Sequence, residues 1–322
     1  MANVNTMKAL RVNKSEDGKV TLVVEDVPIP KPAEGEVLVK IRASAVQPSD
    51  ILNSKGLFPI TTFPRTIGRD WSGTVTAGPP DWIGKDVFGT SGPSFSFTHD
   101  GAQADYAVLP VNVLTAKPAL LSYEQAALVG TPFTTAMILL TRAAAKAGET
   151  VLVLGATGNV GSRVMQCAKA MGCKAIGVGR HGTDIDSIAD PTLSGAKAMT
   201  AGKGPDVAVD TVGDFALTRA AFDVLAPNGR LCTITAPRSG GTEFPLDVLN
   251  LYRQQISVVG CNSIGFNSQE ELGGMLGGNL VPWLEEGKIT VPELGSTERL
   301  PLERAVEAYD GRVKKAVIVF DE

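Results

Sequence analysis

Val151-Leu-Val-Leu-Gly155-Ala-Thr-Gly158-Asn-Val-Gly161-Ser162 decides the fold of this chain. A short aliphatic strand meets three glycines at three-residue spacing and passes into a helix-like stretch, residues 162–171. Gly155 lets the chain turn sharply, Gly158 bares the backbone to phosphate oxygens, and Gly161 lets the helix approach the sheet. The unsatisfied N–H groups and positive dipole end of that helix then face an anion. The pattern predicts a dinucleotide pyrophosphate held by Gly155, Ala156, Thr157, Gly158, Asn159, Val160 and Gly161. A tight strand-to-helix turn suits any α/β protein, but the strand before and the amphipathic helix after favour the dinucleotide.

Residues 174–178 read as the next strand, and its end lies where a carboxylate usually receives the ribose hydroxyls of NAD. Gly179-Arg180-His181 stands there instead. An acid would repel a 2′-phosphate, whereas a guanidinium forks onto it with paired charge-assisted hydrogen bonds. Arg180, assisted by His181, therefore points to NADPH, with a solvated surface arginine as the competing account.

With 322 residues, 43% of them hydrophobic, the chain can bury one large core or two moderate ones, and two domains are expected. The net charge of −4 offers no basic face for a phosphate backbone, so nucleic acid is not an expected partner. Cys167, Cys173, Cys232 and Cys261 lack a close metal-binding spacing. They read as small buried hydrophobes in a reducing compartment, with a redox-sensitive thiol at an edge strand as the alternative for Cys261. No charged region followed by an apolar core opens the sequence, and the longest apolar stretch, residues 126–140, is too short for a bilayer. A cytoplasmic protein that engages no membrane is expected.

Short β-prone segments at residues 8–12, 20–25, 36–45, 73–77, 86–89 and 101–108, separated by Pro and Gly clusters, predict a small irregular β domain. From residue 123 the texture alternates: a helix, strand 150–154, helix 162–171, strands 174–178, 196–200 and 206–212, helix 215–225 and strand 229–235. Such alternation needs right-handed crossovers and gives a doubly wound parallel sheet. A helix-like segment at 269–287 and a closing strand at 313–320 follow. The expected fold class is α/β: a Rossmann-type doubly wound parallel sheet, residues 123–266, inserted in a discontinuous, mainly β domain of residues 1–122 and 267–322.

The order of the pieces carries a resemblance. The β domain holds Gln47-Pro-Ser-Asp50, Phe63-Pro-Arg-Thr-Ile-Gly68-Arg-Asp70-Trp-Ser-Gly73 and Gly101-Ala-Gln-Ala-Asp-Tyr106. Glu124-Gln-Ala-Ala127, the glycine run, Val207-Ala-Val-Asp210-Thr-Val-Gly213-Asp214 and Lys314-Lys-Ala-Val-Ile-Val319 come after it. In this order they resemble the medium-chain dehydrogenase/reductase superfamily, and within it the zinc-independent quinone oxidoreductase and enoyl reductase branch. The resemblance implies a GroES-like catalytic domain around the NADPH-binding one.

Zinc needs thiolates or imidazoles at tetrahedral reach, yet residues 1–120 hold no cysteine and only His99. Where zinc alcohol dehydrogenases of the superfamily carry Gly-His-Glu, this chain carries Gly68-Arg69-Asp70. No metal is expected. Hydride transfer from NADPH to a quinone or to an alkene conjugated to a carbonyl needs none.

By the same resemblance, Gln47 replaces an asparagine and keeps an amide able to donate to a carbonyl oxygen; a backbone-capping amide beside Pro48 is its other role. Phe58 and Leu52 fall where relatives place tyrosines, which leaves the proton to water or to a hydroxyl such as Thr131. Thr135 matches a threonine that contacts the nicotinamide, and Asp210, Val212 and Gly213 match main chain that approaches the cofactor. Thr235, Ala236 and Pro237 follow a strand end, where ligands bind in such sheets, and belong beside the nicotinamide ribose or carboxamide. A pathway-specific enoyl-thioester reductase and a catalytically silent NADPH-binding protein are the alternatives. Loops 55–64, 91–100 and 264–269 are expected to shape the pocket for a small-molecule quinone or enone. Edge strand 256–261 is expected to pair two copies into a homodimer.

Overall fold

Alternating exposed and buried residues along Thr6–Lys14 (β1) and Val20–Pro28 (β2) pair into an antiparallel hairpin, from Thr6 opposite Pro28 to Lys14 opposite Val20. The computed structural model describes residues 5–90, 92–237, 240–263 and 269–321. It falls into two units: Met1–Thr131 with Asn267–Glu285 and Val291–Glu322, and Pro132–Phe266 with Glu286–Thr290.

In the first unit β1 lies between β2 and Arg65–Thr66 (β4) in a three-stranded sheet. A second sheet is built on Glu36–Ala45 (β3), whose inward positions Val37, Val39, Ile41 and Ala43 are fully buried. Asp70–Ala77 (β5), Asp86–Gly89 (β6), Tyr106–Pro110 (β7) and Thr115–Ala116 (β8) complete its near part. Val39, Ile41, Trp71, Val87, Phe95 and Leu109 form the core. Only the second half of the segment 101–108 is strand. Its first half is held against β1 by an isolated bridge between Ala9 and Ala104 and by Leu10 N–H donating to Gln103 O at 2.8 Å.

Helix α1 (Pro48–Ser54) follows β3, and α2 (Tyr123–Ala127) starts at a capping box. There Gln125 N–H donates to Ser122 Oγ and Ser122 N–H to Gln125 Oε1. The sequence reading placed α2 in the nucleotide domain. It packs on β3, β5 and β6 instead, with Tyr123 Oη donating to Asp86 Oδ1 at 2.7 Å. The division between units falls within α3 (Gly130–Arg142), after Thr131.

The second unit alternates β9 (Thr150–Leu154), α4 (Asn159–Ala170), β10 (Lys174–Gly179), β11 (Ile185–Asp186), α5 (Ser194–Ala198), β12 (Val207–Asp210), α6 (Phe215–Asp223), β13 (Arg230–Thr233), α7 (Val248–Arg253) and β14 (Ser257–Gly260). The strands lie in the order β11-β10-β9-β12-β13-β14, every pair parallel. Val151 to Leu154 are fully buried, as a central strand covered on both faces requires. The strand expected at 196–200 is a correction: Ser194–Ala198 is helix. The Asp190 carboxylate accepts from the amides of Ser194 at 3.1 Å and Gly195 at 2.8 Å, which caps a first turn. Lys197 and Ala198 then follow their helical propensity.

The chain returns through the helical run Gln269–Met275, Leu276–Leu280 and Val281–Glu285 to β15 (Glu298–Pro301) and β16 (Ala316–Val319). β15 and β16 are parallel, and β16 pairs antiparallel with β3, Val317 opposite Ala45. The chain after the Rossmann-type unit thus rejoins the sheet built on β3, and that unit is an insertion in a GroES-like one. Among the described residues no helix is long and apolar enough to cross a membrane. Ser91 and residues 264–268, expected in the variable loops, lie outside the described residues.

Candidate active site

β9 ends at Leu154 and the chain turns at Gly155, whose φ of +78° is open to glycine but strained for other residues. Gly158 N–H returns to Gly155 O at 2.8 Å, and Gly158 is the N-cap of α4. A Cβ on Gly161 would be driven into the Gly155 carbonyl, and one on Gly155 would lie 2.8 Å from Thr211 Oγ1 and Val212 Cγ2. Ala156, Thr157, Asn159 and Val160 complete this strand-turn-helix. A pyrophosphate fits such a cradle: backbone amides at the start of a twelve-residue helix, with no side chain to hold a phosphate away.

The ends of β12 and β13 bring Val212, Gly213, Thr235 and Ala236, four of the residues expected at the cofactor, beside this cradle. Thr211 Oγ1 donates to Leu154 O at 2.7 Å. Asp210, buried at the end of β12, accepts from the amides of Val212 at 2.8 Å and Gly213 at 3.0 Å through Oδ1. Its Oδ2 accepts from Thr218 Oγ1 at 2.8 Å. Asp210 therefore shapes the loop that follows it, while the cap of α6 is Asp214, which accepts from Leu217 N–H. Gly213, at φ +77°, lies so near the segment after β13 that a Cβ would sit 2.7 Å from Ala236 O. Gly155, Val212, Gly213, Thr235 and Ala236 are contiguous; Pro237 follows, and Thr135 is buried in α3.

Arg180 and His181 form an exposed turn directly after β10. One residue nearby escaped the sequence reading. Asp184 Oδ2 accepts from Gly177 N–H at 2.7 Å, in the middle of β10, so a carboxylate sits close to the Arg180 turn. Its signal was there to find, an acid within a few residues of the strand end.

In the first unit the two catalytic candidates meet on one carboxylate. Gln47 Nε2 donates to Asp70 Oδ2 at 2.8 Å. Thr131 donates to Asp70 Oδ1 from both its amide, at 2.8 Å, and its hydroxyl, at 2.7 Å. Thr90 Oγ1 donates to the same oxygen and lies 3.0 Å from Thr131 Oγ1. Asp70 is wholly buried, and that burial raises its pKa against the hydrogen bonds of Thr90 and Thr131 and the charge of Arg69. A cavity of about 550 Å³ reaches Thr90 and is lined also by Arg11, Phe95, His99 and Tyr106.

Gln47 is also the N-cap residue of α1, and its backbone N–H donates to Asp50 Oδ2 at 2.9 Å. Burial pushes Asp50 up to about 7. Tyr309, from the end of the chain, donates to Gln103 Oε1 at 2.6 Å and is raised by burial and by the charge of Asp50. The guanidinium of Arg69 donates to Ser49 Oγ at 3.2 Å and lies 5.5 Å from the centroid of Phe97, which Phe58 meets edge-on at 5.3 Å. Phe58 is half-buried against Phe97, while Leu52 is exposed. Asp70, Thr90 and Asp50 were not among the expected site residues; burial of a charged side chain only becomes visible once strands are paired.

Zinc does not fit this place. An amide, a guanidinium and a carboxylate already bonded to three partners replace the thiolate and imidazole a tetrahedral site needs. Among the described residues, no three His, Cys, Asp or Glu side chains are grouped to hold a metal ion.

A parallel sheet with a glycine cradle, inserted in a GroES-like unit with a buried polar cluster, defines a nicotinamide-dependent oxidoreductase. Comparison with known proteins gives the family. A profile described as a zinc-binding dehydrogenase matches residues 159–276, and one described as an alcohol dehydrogenase GroES-like domain matches residues 33–119. A zinc-type alcohol dehydrogenase-like protein of Schizosaccharomyces pombe is 42% identical over 305 residues, covering 94% of this chain and 93% of the relative. An acryloyl-coenzyme A reductase of Metallosphaera sedula is 32% identical over 238 residues, 64% of this chain and 70% of the relative. A quinone oxidoreductase of Lama guanicoe is 28% identical over 323 residues, 94% and 93%. The crystal structure of an alcohol dehydrogenase superfamily protein from Novosphingobium aromaticivorans superposes with a TM-score of 0.83 at 26% identity, over 98% of this chain and 100% of that one. The chain belongs to the medium-chain dehydrogenase/reductase family, in its quinone oxidoreductase branch, whose members bind NAD or NADP.

Proposed function

We propose that this protein is an NADPH-dependent, zinc-independent oxidoreductase that transfers hydride to a quinone or a carbonyl-activated alkene. The bond between Gln47 and Asp70 carries the reading. With Arg69 beside them, amide and carboxylate occupy the ground of a metal site, so hydrogen-bond donors must activate the acceptor.

When bound, NADPH supplies the hydride. Gly155 to Gly161 bind its pyrophosphate, Arg180 and His181 its 2′-phosphate, and Thr135, Val212, Gly213, Thr235, Ala236 and Pro237 orient its nicotinamide end. Gln47 and Thr131 hold the oxygen on which negative charge grows. Asp70 accepts from both of them and so fixes their orientation. The exposed edge strand β14 supports a homodimer, and four free thiols support a reducing, cytoplasmic setting.

The test is a panel of quinones and small enones mixed with NADPH, read as loss of nicotinamide absorbance. Turnover is expected. Its absence on every acceptor overturns the reading, and tight NADPH binding without turnover leaves a catalytically silent binding protein. The likeness to an acryloyl-coenzyme A reductase favours a second acceptor, an enoyl thioester. A kcat/KM more than about ten-fold higher on a short enoyl thioester than on any quinone decides for it.

A further inference from the structure

The cavity of about 550 Å³ that reaches Thr90 has no part in the proposed chemistry, and it lies wholly within the first unit. Its size is that of a small-molecule pocket. All five residues of β7, Tyr106–Pro110, line it. Side chains of a strand alternate between two faces, so a cavity that meets every residue runs along the strand's edge. Among the described strands β7 pairs with β3 alone, which leaves its other edge open. Two bonds fix the phase of that pairing: Ile41 N–H donates to Asp105 O and Val111 N–H to Gly35 O, each at 2.9 Å. Bonded pairs alternate in an antiparallel ladder, so Ala107 and Leu109 turn their main chain to β3 while Tyr106 and Val108 turn theirs away. The open edge therefore offers the N–H and C=O groups of Tyr106 and Val108 to the cavity.

The charged groups of the wall are engaged with protein partners. Arg11 Nη1 donates to both oxygens of Asp100 at 3.1 Å, and Arg11 Nε lies 3.4 Å from Glu25. Asp100 also accepts from Arg65 Nη1 at 3.0 Å and from the Thr66 amide at 2.9 Å. Glu36 accepts from the Ala33 amide at 2.9 Å. An ionic ligand would give up its hydration for groups already paired, which is costly. Met7, Val27, Pro28 and Phe95 supply apolar surface instead. The walls therefore suit a neutral body, and the β7 edge suits a group that accepts or donates a hydrogen bond.

We propose that this cavity is a second ligand site, separate from the places of cofactor and acceptor, for a neutral, flat, largely apolar molecule whose carbonyl pairs with the open edge of β7. Its occupant acts on the chemistry through Thr90. The Thr90 hydroxyl donates to Asp70 Oδ1 and lies 3.0 Å from Thr131 Oγ1, whereas Gln47, Asp70 and Thr131 are not part of the cavity wall. An occupant therefore shifts the hydrogen-bond network without taking the acceptor's place. This coupling rests on the reading of Gln47 and Thr131 as donors to the acceptor oxygen.

Prodan, an uncharged naphthyl ketone whose emission shifts in apolar surroundings, is the probe. Fluorescence titration of the full chain should show a saturable site that persists when NADPH is added to saturation. Val27→Trp and Val108→Trp narrow the cavity from opposite walls, and each is expected to weaken Prodan binding at least about ten-fold. No saturable binding, binding abolished by NADPH, or binding unchanged in the folded variants overturns the site. Hydrogen exchange read by mass spectrometry needs no variant. With Prodan bound, the peptide spanning residues 105–110 should exchange more slowly, and an unchanged rate overturns the edge contact. For the coupling, saturating Prodan is expected to change kcat for quinone reduction by at least about two-fold while the KM for quinone stays within about two-fold. Competition with the quinone places the probe at the acceptor and overturns the proposal, whereas unchanged kinetics overturn the coupling alone. If no acceptor is turned over, the functional reading and the coupling fall together, and fluorescence and exchange still decide the site.

Discussion

Gln47 and Asp70, twenty-three positions apart, join through Nε2 to Oδ2 at 2.8 Å, and both side chains are buried. The bond ties the cap of α1 to the first residue of β5, and Thr131 closes the cluster from the other carboxylate oxygen. A buried carboxylate oxygen left without its donor loses about 1–3 kcal/mol.

Gln47→Leu is therefore expected to lower stability by about that amount in urea unfolding, and to reduce kcat while the KM for NADPH stays within about two-fold. Thr131→Val should act in the same direction. A double-mutant cycle with Asp70→Asn tests the link, because residues sharing one network do not add. Strict additivity of Gln47→Leu and Asp70→Asn would show that they act separately.

Asp50 gives a pH signature. Its folded-state pKa is raised from 3.8 to about 7, chiefly by burial, so the folded protein holds the proton more tightly than the unfolded chain. The associated stability is complete below the unfolded value and is lost as the pH rises through about 7. The full effect is about 4 kcal/mol. Asp50→Asn removes this titration, so its stability relative to the wild type should climb between about pH 4 and pH 8, by about 2–4 kcal/mol in urea titrations. A difference that stays flat or falls over that window contradicts the assignment.

Gly161 admits no side chain. Gly161→Ala pushes a methyl group against the backbone carbonyl of Gly155, which cannot turn aside as a flexible side chain could. A loss of about 2–4 kcal/mol is expected, together with much weaker cofactor binding. Gly158→Ala meets the same carbonyl at 3.1 Å and should be milder, so differential scanning calorimetry ought to rank the two variants in that order.

The proposed role of Arg180 at a 2′-phosphate is tested by comparing the two nicotinamide cofactors. Arg180→Ala should raise the KM for NADPH about ten- to a hundred-fold, the loss of paired charge-assisted hydrogen bonds, and leave that for NADH nearly unchanged. Steady-state kinetics with both cofactors measures this directly. Equal changes would move the assignment from Arg180 toward the ribose-binding behaviour of an acid, for which Asp184 is the nearby group.

The sequence by itself determined what neighbouring residues decide together. Aliphatic residues 151–154, three spaced glycines and the helix after them act within a dozen positions, so their turn, their close approach and their helix start can be read along the chain. The alternation of strands and helices, and with it the parallel sheet, is legible for the same reason. Where a local pattern was ambiguous it misled: residues 196–200 are too few to show a period, and the Asp190 carboxylate settles them as helix. Only the tertiary structure decided that Gln47, Asp70, Thr90 and Thr131 form one cluster, and that α2 packs on the GroES-like sheet. Those meetings depend on which strands pair and in what register, and the burial that shifts Asp50, Asp70 and Tyr309 exists only once distant segments have closed over them.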